Sequence, residues 1–428
     1  MSSLLTRLLR RAGRALHPLV NPHEEWLRDR IETILAEQRR DLTALLKDAE
    51  RQQKQLGSVD HELEQLRDKS TTDLASVRNV LTAQHVRIRR QLGFSERVLR
   101  RASEGTPAYR EEKVLDRLEK LSRTGQPILA GPWTGEVGFE LVYWIPFVRW
   151  AAAHYGLDAS RLVVCSRGGP RSWYQGLAER YTDVFDVATQ DEFRRHTVEA
   201  PKQRTLRQFD RDVIRRVRQG SMALLHPALM YHLFMPFWKQ QAPMSQVLKY
   251  AQFKRLRPFD LPGVTDRLPS RYVAVRFYFS HCFPDTPGNR SFVTRTLVQL
   301  SEETDVVLLN PSLRVDDHAD MVVPVSPRIH TFDALQTPSA NLEAQTAVIA
   351  RAAGFVGTYG GYSYLAPFFG VPALGFYSER NFYLHHLHMA QHALEEIDGG
   401  TLTPVHTRDE ALVRAALGRA PEGSGISG

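Results

Sequence analysis

Two regimes of hydrophobic patterning divide the chain. From about Trp26 to Leu99, leucines and valines recur at helical spacing among Glu, Arg, Gln and Lys. From Pro127 onward the pattern changes to short, unbroken apolar runs bounded by glycine and proline. These are Pro127–Ala130, Leu162–Cys165, the Tyr272–Val275 part of Tyr272–Phe277, the Val306–Leu309 part of Asp305–Leu309, Met321–Val325, Phe355–Val356 and Ala373–Tyr377. Runs that are apolar throughout, with no alternation, are the mark of strands buried on both faces of a parallel sheet. Apolar helical stretches, Leu141–Tyr155 and Asn341–Ala353, lie between them. The repeated order of strand, glycine-rich loop, helix and strand predicts doubly wound α/β units. Asp183–Val187 reads as a short edge strand, Arg194–Leu256 as a basic, helix-prone spacer, and Arg408–Leu417 as a final helix. No repeat of solenoid period is visible.

The helical regime carries its own signals. Leu4, Leu5, Leu8, Leu9, Ala12 and Leu16 share one face, with Arg7, Arg10, Arg11 and Arg14 among them and no acid in Met1–Val20. That composition predicts a helix lying on anionic lipid; a solvated helix and a mitochondrial-type presequence are the alternatives. Further on, Leu42, Ala49, Leu56 and Leu63 fall at heptad a positions, and Leu45, Val59 and Leu66 at d positions. Gln52 interrupts that seam and Gly57 weakens it, so a coiled coil or helical hairpin over residues 21–125, with homo-oligomerisation through it, is expected alongside a simple helical stalk.

Composition narrows the classes. A chain of 428 residues, 42% hydrophobic and 24% charged, has the size of two or three soluble domains. Its net charge of +8 suits anionic partners: phosphate-bearing substrates, an anionic membrane surface or nucleic acid. The arginines are dispersed or confined to the helical region, and no nucleic-acid module interleaves them with aromatics, so a nucleic-acid role is not expected. Cys165 and Cys282, with no metal-type spacing, predict buried thiols in a reducing compartment. The uncharged run Ser221–Trp238 is long enough to span a bilayer but contains His226, Pro227, His232 and Pro236. No Walker A, HExxH or Gly-x-Ser-x-Gly pattern occurs, and Asp316-Asp-His-Ala-Asp320 reads better as a solvated loop than as a metal site.

The densest signal is Gly354-Phe-Val-Gly-Thr-Tyr-Gly-Gly-Tyr-Ser-Tyr-Leu-Ala-Pro-Phe-Phe-Gly-Val-Pro-Ala-Leu-Gly-Phe-Tyr377. It predicts a strand, a glycine turn at Gly357–Gly361, a helix opening at Ser363 and a second strand. Glycines let a ligand approach the main chain, and a helix N-terminus offers N–H groups and a positive dipole end to an anion. The same glycines would also serve a plain tight connection. This segment resembles the C-terminal signature of GT-B glycosyltransferases, well over residues 270–380 and more loosely over 127–190.

The resemblance implies two Rossmann-like domains, an acceptor domain at 126–260 and a nucleotide-sugar-binding domain at 261–420, after the helical region. It also implies metal-independent transfer of a sugar from a nucleotide-sugar to a glycan or glycolipid, with no cofactor beyond the donor, by a protein peripheral on the inner face of the cell membrane. The donor diphosphate would meet Arg276, Arg290, Gly357, Thr358, Tyr359, Gly360, Gly361, Tyr362 and Ser363. Glu136, between Gly135 and Gly138 in the loop after the first strand, is the expected general base, with Glu140 one turn behind it; capping of the following helix is the alternative role for Glu136. Arg167 and Arg171 are expected to bind an anionic acceptor or solvate their loop, and His281, Asn310, Pro311 and Pro327–His330 are weaker ligand contacts. No acid follows the Gly-Gly turn, where a ribose-binding residue often stands, which leaves the nucleotide open. An epimerase or hydrolase of the same fold, or a non-catalytic assembly factor, is the competing reading.

Overall fold

The computed structural model describes residues 107–199, 202–309, 326–331 and 337–409, with scattered helical positions between 43 and 58 and at 84. The basic segment 1–20 and every a and d position of the heptad seam lie outside the described residues, as do Met321–Val325, Asn310, Pro311 and the Asp316–Asp320 cluster. Two units divide the chain, residues 16–110 forming one of them and both sheets lying in the other.

The first sheet holds β1 (Ile128–Ala130), β2 (Leu162–Ser166), β3 (Arg180–Asp183) and β4 (Ala223–Leu225), all parallel, in the order β3-β2-β1-β4. Helix α1 (Pro107–Arg123) precedes it. After β1 come α2 (Val137–Phe139), a single π-helical turn (Glu140–Trp144) and α3 (Ile145–Tyr155), which ends on Gly156 in the left-handed conformation. Helices α4 (Gln190–Glu199), α5 (Gln208–Val217), α6 (Ala228–Trp238) and α7 (Ser245–Leu248) follow. The second sheet has β5 (Tyr272–Arg276), β6 (Asp305–Leu308), β7 (Ile329–Thr331), β8 (Gly354–Thr358), β9 (Ala373–Tyr377) and β10 (Leu402–His406). It too is wholly parallel, in the order β10-β9-β8-β5-β6-β7. Its helices are α8 (Pro287–Glu303), α9 (Asn341–Arg351), α10 (Gly361–Phe368) and α11 (Leu384–Glu396).

The all-apolar strands are explained by what covers them. Leu129, Val163 and Cys165 pack against Phe193 of α4 and Val213 and Ile214 of α5. Their sequence neighbours Ile128, Ala130, Leu162 and Val164 face the other way, into a core with Phe147, Val148 and Ala151 of α3. The second sheet repeats the scheme, with Val275, Val306, Val356 and Phe376 on Phe292, Val293 and Leu297 of α8. Its opposite face, including Ala274, Val307, Phe355 and Ala373, joins the α3 core. One apolar core therefore runs from the inner face of one sheet to the inner face of the other.

Mixed α/β architecture with two parallel sheets agrees with the patterning, and several details correct it. The spacer 194–256 contains β4, which pairs with β1. The region around Asp183 is strand only up to that residue and continues as a 3-10 turn, Val184–Asp186, capped by the Asp183 carboxylate. Arg290 sits in the first turn of α8, not in a loop. Strand β10 and helix α11 were not anticipated. Cys165 and Cys282 are buried free thiols.

Candidate functional site

Parallel strands deliver their following loops to one edge, and the loops after β1 and β8 occupy that edge in the two sheets. The β1 loop begins at Gly131, where φ is +128° and a Cβ would stand 2.3 Å from the Cys165 carbonyl oxygen, so only glycine fits. Gln203 holds the loop from one side. Its Nε2 donates to the Pro132 carbonyl at 2.8 Å, and its Oε1 accepts from the Thr134 N–H at 2.9 Å. Arg167 holds it from the other side by donating to the Gly135 carbonyl at 2.5 Å. Gln203 is itself fixed by Asp210, at 3.2 Å. Burial alone would raise the Asp210 carboxyl, but the neighbouring His226 and His196 imidazoles, 3.6 and 3.8 Å away, and the bond from the Arg207 N–H outweigh it and keep it below the usual carboxylate range.

At the corresponding edge of the second sheet, Arg276 ends β5 with only 6% of its surface exposed. Its guanidinium donates to the Leu309 carbonyl at 2.8 Å and to Gln345 Oε1 of α9, and lies 4.4 Å from the centroid of the Tyr362 ring. That ring belongs to the first turn of α10, so the cation and the positive helix end adjoin. Thr358 is fully buried and exchanges bonds with the Tyr278 main chain at 2.9 and 2.8 Å. Ser363 closes the turn on itself, accepting from the Gly360 N–H at 3.0 Å and donating to its carbonyl at 2.7 Å. Tyr359 is buried, with its hydroxyl 2.6 Å from that of Tyr364.

The two edges touch. A Cβ at Gly361 would meet Val137 Cβ at 2.7 Å and the Gly138 N–H nitrogen at 3.0 Å, and one at Gly138 would meet the Tyr364 ring at 2.7 Å. The glycines of the motif thus answer to protein packing: Gly357 to the Arg276 carbonyl, Gly360 to the Tyr278 hydroxyl, Gly361 to α2. Further ties cross between the halves. Gly168 O caps α9 through Leu342 and Glu343, Trp173 Nε1 donates to Thr346 Oγ1, and the Tyr143 hydroxyl and His386 Nδ1 share a hydrogen bond of 2.6 Å. Burial, with the charges of His385 and Lys202 adding, takes the His386 imidazole down to about 2 and leaves it neutral.

The two candidate acids are placed oppositely. Glu136 has 59% of its side chain exposed and pairs with Lys202 Nζ at 2.7 Å; it makes no side-chain bond to the helix it precedes. Lys202 also sits 3.6 Å from the centroid of Phe139. Glu140 is fully buried, and its oxygens accept from Ser166 Oγ at 2.5 Å, Tyr174 Oη at 2.6 Å and Arg167 at 3.4 Å. Burial pushes its carboxyl up to about 7 against the pull of Arg167. A π-turn at such a residue is a local widening that sequence does not announce.

Of the remaining candidates, Arg290 is exposed and engaged bidentately with Asp285 at 2.6 Å, with its guanidinium 5.2 Å from the Phe279 ring. Arg171 stands on the surface beside β3, donating to the Glu179 carbonyl. His281 is exposed, and His330 pairs with Asp305 on β6. Glu136, Arg276, Tyr362 and the α10 turn are therefore on the edges that meet, while Arg290 is tied to Asp285. Sequence reasoning missed Lys202, Gln203, Asp210 and His386; their signal, isolated polar residues in a basic spacer or a histidine run, has no spacing to find.

No protein-family model and no curated protein matches the chain. Among solved structures, it is similar to the iron-containing dodecameric glycosyltransferase TibC of enterotoxigenic E. coli (14% identity, TM-score 0.34), covering 59% of this chain and 58% of that one. A glycosyltransferase of family 9 from Veillonella parvula matches at 9% identity and TM-score 0.36, over 71% of this chain and 92% of that one. E. coli heptosyltransferase WaaC, solved with ADP, matches at 11% and 0.35, over 68% and 98%. The chain thus spans little more than half the length of the first of these. The first two are described as glycosyltransferases and the third as a heptosyltransferase.

Proposed function

We propose that the chain transfers a sugar from a nucleotide-sugar to an acceptor hydroxyl by direct displacement at the anomeric carbon. Glu136 takes the hydroxyl proton as the new glycosidic bond forms. The nucleoside diphosphate leaves with the electron pair of the broken bond and is received by Arg276 and the first turn of α10. The observation that supports this reading is the contact of the two loop edges. An exposed carboxylate on the β1 loop stands at the seam where the α10 N-terminus and a buried guanidinium converge. A guanidinium and a helix N-terminus neutralise a departing diphosphate with fixed charge and dipole, so the reaction is assigned no metal. Attack from the face opposite the leaving group makes the transfer inverting.

In the same reading the half containing the first sheet takes the acceptor, a glycan or glycolipid, and the half containing the second sheet takes the donor. Residues 1–20 hold the protein against the inner face of the membrane, and the helical region joins copies. Among the described residues no helix is long and apolar enough to cross a membrane.

The test is a thermal-shift screen against UDP, GDP, CMP, ADP and dTDP and their sugars, with and without EDTA. One nucleotide class should raise the melting temperature, survive EDTA and fail with Arg276→Ala. Turnover with that donor should fall by about 10²–10⁴ in Glu136→Gln while nucleotide binding is kept. A well-folded sample that responds to no nucleotide, or a Glu136→Gln protein with full turnover, would sink the proposal.

A further inference from the structure

The segment that pairs with Glu136 is tied to the β1 loop through the buried side chain at its centre. Gln203 is buried and bonded through both ends of its amide to Pro132, Thr134 and Asp210. The Trp133 ring that follows Pro132 in the same loop lies parallel to Tyr231, with centroids 6.4 Å apart. The Arg204 N–H donates to the Lys202 carbonyl at 2.9 Å, which closes the turn. With Gln203 locked inward, its two neighbours project outward. Lys202 is 30% exposed beside Glu136, and Arg204 is exposed. Arg204 stands next to Lys202 through the turn that its own N–H closes. Two cations, Lys202 and Arg204, therefore adjoin in one turn, and the candidate base occupies the first of them.

Resting on the assignment of Glu136 as base, we propose that Lys202 and Arg204 bind an anionic group carried by the acceptor, a phosphate or a carboxylate, and that this group replaces Glu136 as the partner of Lys202. Without the acceptor, the 2.7 Å ion pair and the Phe139 face hold Lys202 in place and tie up the carboxylate. An arriving anion takes over the ammonium, with Arg204 adding a forked donor suited to either oxyanion. The Glu136 carboxylate is then released beside the hydroxyl it must deprotonate. An acceptor lacking the anion leaves the pair intact, so the turn both selects the substrate and couples its arrival to the base.

Calorimetric titration of the full chain at fixed ionic strength tests this without turnover, using inorganic phosphate, glucose 6-phosphate, glucuronate and glucose. The phosphate and carboxylate arms distinguish the two anions, and glucose should give no heat of binding. Lys202→Met and Arg204→Met should each weaken the anion by about tenfold. Arg295→Met, on α8, should not, which separates this site from general attraction to a basic protein. Glu136→Gln removes the competing charge and should tighten the anion. Anion binding unchanged in Lys202→Met and Arg204→Met, or no tighter in Glu136→Gln, overturns the proposal. Tightened binding with full turnover in Glu136→Gln would leave the anion site standing and remove the base assignment.

Discussion

Glu136 and Glu140 are one helical turn apart, and each was legible in the sequence as an acid near a glycine loop. What separates them is everything beyond that turn. Ser166 and Tyr174, from 26 and 34 residues away, surround Glu140, while Glu136 faces solvent and Lys202. Burial depends on such long-range neighbours, which a local pattern does not encode. The consequence is measurable. The folded protein keeps the Glu140 proton up to about pH 7, whereas an unfolded chain would release it at the ordinary glutamate value, 4.5. Between those values the native state binds more protons than the unfolded one, so stability falls as pH rises through the window, by about 3 kcal/mol in all. Glu140→Gln places an uncharged amide among the same donors and should flatten that part of the slope. Urea unfolding at intervals from pH 4.5 to 7.5 reads it out. Glu343, pushed up to about 7, and Asp183, up to about 6, both by burial, contribute slopes of the same sign that the variant keeps. A variant whose curve runs parallel to the parent's would show that Glu140 does not titrate in this range.

At the scale of elements, the strands with long apolar runs announced themselves and the short ones did not. β4 has three residues, inside a stretch readable only as uncharged, and β10 carries Pro404; neither offers a period to detect. Helix starts were better marked than their partners. Ser166-Arg-Gly-Gly-Pro170 reads as a loop, yet its function in the fold is to seat the N-terminus of α9, more than 150 residues later. Gly168 accepts from the Leu342 and Glu343 N–H groups at 2.8 and 3.1 Å, and Glu343 returns bonds to Ser172 at 3.2 and 2.8 Å. Gly169 makes this seat with φ of +83°, where a Cβ would lie 2.4 Å from the Ser339 carbonyl oxygen. Gly169→Ala should therefore lower the unfolding free energy by about 2–3 kcal/mol through backbone strain and displacement of the 339–343 turn. The expected signature is a lower urea midpoint at an unchanged m-value. An unaltered midpoint would mean that the turn gives way freely and that α9 does not depend on its seat.

For the molecule as a whole, the patterning implied two α/β units but not that they would be clasped at their functional edges. One contact that joins them seats Gly361 against Val137 and the Gly138 nitrogen, and Gly138 against the Tyr364 ring, and is available only because Gly138 and Gly361 have no side chains. This makes the union of the halves testable by a double-mutant cycle across it. Gly361→Ala adds a methyl 2.7 Å from Val137 Cβ and 3.0 Å from the Gly138 nitrogen, so α2 and α10 must separate. The cost should be about 2 kcal/mol, comparable to other overpacked sites. Val137→Gly removes the nearer obstacle, so the same alanine should cost about 1 kcal/mol less in that background, the residue arising from the Gly138 nitrogen. Nucleotide binding gives a second readout, because the helix end moved by the added methyl is the one assigned to the diphosphate. The thermal shift given by the preferred nucleotide should shrink in Gly361→Ala and recover in part in the double variant. If the two substitutions are additive in both stability and nucleotide response, the halves are not held by this contact, and the joint cleft must be sought where Gly168, Trp173 and α9 meet.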